Sequence, residues 1–216
     1  MIKKVSMYIS IMGMMALLAL TGTAAFAKGG DPTAGKDKAA MCGGCHGEDG
    51  NSFAADFPRL AGQYENYIVK QVRDFQSGHR ANNDTMAGMA QTIASVEDAH
   101  DIGAYFHLQK MAKEPLTTVD KKLAAKGEKL FQNGNPETGL YGCINCHGER
   151  GKGKSKSISQ FPVIGGQHRD YIIKELGDFK AGRRANDPAG MMAAIARKLS
   201  DDDIKAVAEY LSSQLP

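Results

Sequence analysis

CGGCH at Cys42 to His46 and CINCH at Cys143 to His147 are two copies of one pattern, C-x-x-C-H. That pattern is the attachment signature of c-type haem. Two thiols one helical turn apart add across the two vinyl groups of the porphyrin. The histidine that follows binds the iron through an imidazole nitrogen. A C-x-x-C pair alone would equally serve zinc or a redox disulfide. The adjacent histidine, the duplication and an export signal separate the haem reading from those two. The sequence therefore predicts two covalently bound haem c groups, one on Cys42 and Cys45, the other on Cys143 and Cys146. His46 and His147 are the expected proximal iron ligands.

The export signal is residues 1–27. Lys3 and Lys4 form a positive start, an apolar run follows from Ile9 to Leu20, and Ala25, Phe26 and Ala27 make a small-x-small cleavage site. The mature chain is expected to begin at Lys28. The apolar run is shorter than the roughly 20 residues a membrane span needs, and no later stretch is apolar enough to cross a bilayer. A soluble periplasmic protein is expected, with association to membrane complexes left open. Export implies an oxidising compartment, where four cysteines could form two disulfides. All four lie inside the haem motifs, so none is left for a structural bridge. Loss of Lys3 and Lys4 takes Lys plus Arg from 27 to 25 against 24 acidic residues, a net of +1. Two propionates per haem bring the holoprotein to near neutral or mildly acidic. That balance offers nothing to nucleic acid or to an anionic membrane surface.

Outward from the haem motifs the chain repeats itself. FPRLAGQ at Phe57 to Gln63 returns as FPVIGGQ at Phe161 to Gln167, and YENYIVKQVRDFQSGHRAN from Tyr64 returns as HRDYIIKELGDFKAGRRAND from His168. Gly62 and Gly166 are 104 residues apart, as are Asp74 and Asp178. Two small domains follow, 28–112 and 120–216, each of ordinary size for one core. The linker is 113–119, where Pro115 interrupts the helical pattern. Tyr67, Ile68, Val72 and Phe75 recur at helical spacing with Gly78 as the stop; Ile172, Leu176 and Phe179 repeat the stripe with Gly182 as the stop. Ser95 with Asp98, and Ser200 with Asp203, read as N-caps opening the last helix of each half. Thr33 to Met41 and Lys121 to Phe131 read as helices leading into the haem loops. With no alternating strand pattern, the expected class is all-α. A domain this small without a disulfide has a thin core, to which a tethered haem adds a large apolar plate. Phe57, Phe75, Tyr105, Phe106, Phe161, Phe179 and Tyr210 are expected either to line that plate or to lock the helices together.

The sixth iron position decides the chemistry. An open site would bind oxygen, nitric oxide or peroxide; a thioether closes the iron and raises its potential, which suits electron transfer. Residues 28–216 hold six methionines: Met41, Met86, Met89, Met111, Met191 and Met192. Met41 abuts the first haem motif on its proximal side, and Met111 follows the last helix of its half and reads as packing. The candidates are Met86 or Met89 in the first half and Met191 or Met192 in the second. The remaining histidines, His79, His100, His107 and His168, have no histidine at the matching position of the other half and read as surface or capping residues. Pro58 and Pro162 follow the two motifs at matched places. Each is either a turn proline or the carbonyl that accepts the proton on the far nitrogen of the ligand imidazole.

Two C-x-x-C-H domains, each with F-P-x-hydrophobic-x-G-Q, D-F-x-x-G and a late methionine, resemble the cytochrome c4 family over the whole mature chain. The resemblance implies two tandem class I cytochrome c domains related by a pseudo-twofold axis, with the haems facing one another across the interface. It implies Met192 as the second ligand and, from the family's M-x-G-M pattern, Met86 as the first. Met86 lies nine residues before Ser95 whereas Met192 lies eight before Ser200, so a one-residue insertion is implied and Met89 stays an alternative. It also favours the imidazole-orienting role for Pro58 and Pro162. The expected function is an electron carrier rather than an enzyme, between a quinol-oxidising complex as donor and a terminal oxidase as acceptor. The alternative is a dihaem subunit of a periplasmic dehydrogenase complex, oxidising sulfide or an alcohol. A dihaem peroxidase would need an open iron and acid–base groups above it, and the sequence presents no candidate for them.

Overall fold

A computed structural model describes residues 29–112 and 118–214. The signal segment and most of the linker lie outside them. The first half holds α1 (Pro32–Lys38), α2 (Ala40–His46), α3 (Glu65–Gln76), α4 (Asp84–Ala90) and α5 (Val96–Leu108). The second holds α6 (Lys121–Asn133), α7 (Ile144–His147), α8 (Arg169–Ala181), α9 (Met191–Ala196) and α10 (Asp201–Ser212). Apart from one isolated bridge between Asn135 and Leu140, the described residues contain no β-structure. None of their helices is long and apolar enough to cross a membrane.

Each half closes by crossing its first helix on its last, α1 on α5 and α6 on α10. A glycine makes each crossing. A Cβ on Gly35 would stand 1.9 Å from the carbonyl oxygen of Asp101, and one on Gly127 would stand 1.9 Å from that of Ala206. Only a residue without a side chain lets two backbones meet this closely. The side chains of Tyr105 and Tyr210 lie over the same two glycines. Those aromatics therefore lock helices, whereas Phe57, Phe75, Phe106, Phe161 and Phe179 line the central cavity.

The apolar stripes fill two cores. Ile68, Val69, Val72 and Phe75 of α3 pack with Ile102 and Phe106 of α5; Ile172 of α8 packs with Leu130, Phe131, Ile204, Val207 and Leu211. Ser95 and Ser200 cap α5 and α10, each accepting from the backbone N–H three residues on, of Asp98 at 3.0 Å and Asp203 at 3.1 Å. Only Asp203 returns the bond, accepting from the Ser200 N–H, which completes a capping box. α3 and α8 stop near Gly78 and Gly182, both at φ +75, where glycine adopts the left-handed conformation without a Cβ penalty.

Three expectations need correction. The single helix read over residues 33–41 is two helices meeting at Ala39, the second running on through the haem motif to His46. Tyr67 does not belong to the buried stripe of α3: it is half-exposed and faces the other half, where its hydroxyl accepts from Arg184 at 3.1 Å. His168 is neither a surface nor a capping histidine. It stands at the N-cap of α8 without a side-chain capping bond and is 5 % exposed, its Nε2 donating to the Ser52 carbonyl of the first half at 3.0 Å.

Candidate functional site

One continuous cavity of about 1040 Å³ runs through both halves. Its wall includes Cys42, Cys45 and His46 of the first motif and Cys143, Cys146 and His147 of the second. Met86, Met89, Met191 and Met192 line it too. The four candidate methionines and both motif histidines thus border one space, although they are distant in sequence.

The histidines are buried, and each has one ring nitrogen committed. Nδ1 of His46 lies 2.8 Å from the carbonyl oxygen of Pro58, and Nδ1 of His147 lies 3.0 Å from that of Pro162. A carbonyl only accepts, so Nδ1 carries the proton and the Nε2 lone pair is free for a metal. Burial lowers the pKa of both rings below the ordinary histidine value, outweighing the proline carbonyls, and keeps them neutral as ligation requires.

The cysteines do not pair with one another. Burial raises the Cys42 thiol and pushes that of Cys143 up to about 11, the reverse of a thiol activated for redox exchange. Among the described residues no group of three or more His, Cys, Asp or Glu is gathered for a metal ion. A zinc or disulfide centre is disfavoured on both grounds. A large, mostly hydrocarbon wall, two thiols at its edge and an imidazole with Nε2 free fit a thioether-linked porphyrin in each half.

The methionines differ in their surroundings. Met86 is packed against the first core, and its N–H is held by the Asn83 side chain at 2.8 Å. Met191 is 38 % exposed, whereas Met192 is half-buried. Met41 is exposed, and Met111 packs against Gly166 of the other half.

Between the halves the polar residues pair almost twofold. Gln63 donates to the Val163 carbonyl at 2.8 Å and accepts from the Val163 N–H at 3.1 Å. Gln167 does the same to Arg59, at 3.0 and 2.9 Å. Arg80 donates to the Tyr171 hydroxyl and Arg184 to that of Tyr67, both at 3.1 Å. The two guanidiniums also stack on Phe75 and Phe179, at 4.6 and 4.5 Å from the ring centres. Asn82 donates to Asp178 at 2.7 Å, and Asn186 to Asp74 at 2.5 Å.

Sequence reasoning did not single out this interface. The signal was present in polar identities that repeat at the 104-residue offset without serving a helix cap or core: the final Gln of each F-P motif and the Arg-Ala-Asn at Arg80 and Arg184. A duplicated polar residue with no local use is what a symmetric contact between two copies requires.

A family model described as Cytochrome c matches residues 124–214. Cytochrome c4 of Pseudomonas aeruginosa is 43 % identical over 202 residues, spanning 93 % of this chain and 96 % of that protein. The thiosulfate dehydrogenase electron acceptor of Thiomonas intermedia is 36 % identical over 178 residues, covering 82 % of this chain and 80 % of that one. The crystal structure of reduced recombinant cytochrome c4 from Pseudomonas stutzeri superposes with a TM-score of 0.78 at 41 % identity, over 86 % of this chain and 99 % of that one. With two class I cytochrome c folds in tandem, two covalent haem c groups and a role in carrying electrons rather than in catalysis, the chain belongs to the cytochrome c4 family.

Proposed function

We propose that His46 and Met86 bind one iron and His147 and Met192 the other. Cys42 and Cys45, and Cys143 and Cys146, form the thioether links. In this reading 28–112 and 120–216 are the two haem domains, 1–27 is removed on export, and the protein carries electrons in the periplasm between a quinol-oxidising complex and a terminal oxidase. The observation that carries the reading is the shared wall: both motif histidines and both methionine clusters border one apolar cavity.

When bound, haem c supplies a one-electron change of iron valence. The chain's residues keep that change cheap. Pro58 and Pro162 hold the imidazole rings by their Nδ1 protons, so the ligand nitrogen does not swing between oxidation states. Phe75, Phe106, Phe179 and Leu211 exclude water from the cavity wall. Thioether ligation favours the ferrous state and closes the iron to exogenous ligands. Packing of the half-buried Met86 against the first core favours it over Met89, and the exposure of Met191 favours Met192.

The test is the optical spectrum of the oxidised protein, where a sulfur-to-iron charge-transfer band is expected. M86A and M192A should each remove about half of it and produce high-spin iron at one site; M89A and M191A should leave it intact. High-spin iron in the unaltered protein, with no such band, would sink the ligand assignment. Mass analysis of the exported chain should show the added weight of two porphyrins.

A second reading is favoured by the relative from Thiomonas intermedia. In it the donor is a dehydrogenase oxidising a sulfur compound such as thiosulfate, in place of the sulfide or alcohol the sequence suggested. Stopped-flow mixing of the oxidised protein with a pre-reduced thiosulfate dehydrogenase separates the two. Rapid reduction supports this donor, and reduction no faster than by a quinol-oxidising complex favours the first reading.

A further inference from the structure

The buried cluster between the halves is charged in pairs. Lys70 has its mate in Lys174, Asp74 in Asp178 and Arg80 in Arg184, each 104 residues on. Among its buried members one position breaks the rule: Gln71 in α3 is answered by Glu175 in α8, while the exposed Arg183, which donates to Asp178 at 2.7 Å, is answered by His79. The side chains of Gln71 and Glu175 occupy equivalent places and share donors. Arg80 donates to Gln71 at 2.8 Å and lies 3.1 Å from Glu175; Arg184 donates to Glu175 at 2.7 Å and to Gln71 at 3.1 Å. Asn186 donates to Gln71 at 3.0 Å, and Asn82 to Glu175 at 3.1 Å. Shape, hydrogen bonding and donor set are alike, and only the charge differs. Both residues line the cavity, and Glu175 is 6 % exposed.

Resting on the dihaem electron-carrier reading, we propose that Glu175 makes the two iron sites of this near-symmetric interior unequal by lowering the potential of the second-half iron more than that of the first. A fixed negative charge stabilises the ferric over the ferrous state, and burial leaves it weakly screened. Glu175 sits on α8, one turn from Ile172 and Phe179, which form the cavity wall of the second half. Gln71, at the matching place on α3, exerts no such pull. The carboxylate is ionised: burial alone would raise its pKa, but Arg184, Arg80 and Lys174 outweigh it and hold it below the ordinary glutamate value. Two further buried charges face neutral mates: Glu209, answered by Ala104, accepts from the Asp120 N–H at 2.7 Å and from Arg169 at 3.3 Å and stays in place in both variants below, and Arg59 is answered by Val163. It donates to the Gly166 carbonyl at 2.9 Å and is untouched by the substitutions below.

The test is a spectroelectrochemical titration of the intact dihaem protein that resolves two midpoints, in the unaltered chain, E175Q and Q71E. Gln at 175 keeps the shape and an acceptor oxygen; Glu at 71 enters between two arginines that together carry more charge than Glu175 neutralises. E175Q should raise one midpoint more than the other. Q71E should lower the other one more. The assignment is overturned if neither variant moves the separation, if both midpoints move equally, or if both variants act chiefly on the same midpoint. Any of those results with low-spin irons throughout leaves the electron-carrier reading standing, whereas a chain without two low-spin irons overturns both.

Discussion

The ring proton on His46 or His147 shows how little a single residue leaves to chance. The proline carbonyl accepts from Nδ1, so the lone pair needed by a metal lies on the other ring nitrogen. A backbone carbonyl does this without adding charge, which keeps the site apolar. Gly127 works at the same scale through absence. Its missing side chain is all that allows α6 to lie on α10. G127V should lower stability by about 3 kcal/mol or more, because the clash is with backbone and cannot relax by a rotamer change. Chemical denaturation followed by circular dichroism checks this, and a midpoint like that of the unaltered protein would show that the crossing has slack.

Helices of the two halves share a plan but differ in their ends. α10 begins with a complete capping box and three acidic residues in its first turn, whereas α5 has two acidic residues there and only the single capping bond to Ser95. Removing the box should therefore cost more. S200A is expected to destabilise the protein by about 1 kcal/mol and S95A by less, read from thermal melts of the two variants side by side. Equal losses would mean that the reciprocal bond from Asp203 contributes nothing. The methionine-bearing helices differ as well. α4 starts at Asp84, two residues before Met86, while α9 starts at Met191 after a turn in which Ala189 stands at φ 54. The unequal spacing to the following serine cap, nine residues against eight, is taken up after these helices: Ala90 and Ala196 each end their helix four residues past Met86 and Met192, and residues 91–94 then lead to Ser95 where only 197–199 lead to Ser200.

The whole molecule is held by the contact between its halves, and that contact has a pH-sensitive member. His168 is buried against Ser52, and burial followed by the nearby Arg59 lowers its pKa below the ordinary histidine value of 6.5. The folded state therefore binds fewer protons than the unfolded chain as the pH falls below about 6.5. Its contribution is fully present above that value and is lost on acidification towards the folded pKa, at about 1.4 kcal/mol for each unit of separation. Tyr64 occupies the equivalent N-cap of α3, so H168Y places at α8 a residue that this fold already holds. Melting temperatures at pH 7 and pH 5.5 should fall less in H168Y than in the unaltered protein. An identical fall would show that His168 takes up its proton in the folded protein as readily as in the unfolded chain.

The sequence alone made legible the class, the tandem repeat, the two haem motifs with a histidine in each, and most of the helix stripes and caps. These are local facts. C-x-x-C-H, an apolar residue every third or fourth position and a serine ahead of an acid are each legible within a dozen residues. It could not settle what depends on two segments meeting. Tyr67 reads as core because its spacing fits the stripe, yet it belongs to the interface. His168 reads as surface or capping because no histidine answers it in the other half, yet its ring reaches the Ser52 carbonyl across 116 residues. Glu175 carries no local signal at all, and its partner Arg80 comes from the other half. Burial and partnership of a polar group are set by what packs opposite it, and in a duplicated protein that is the other copy.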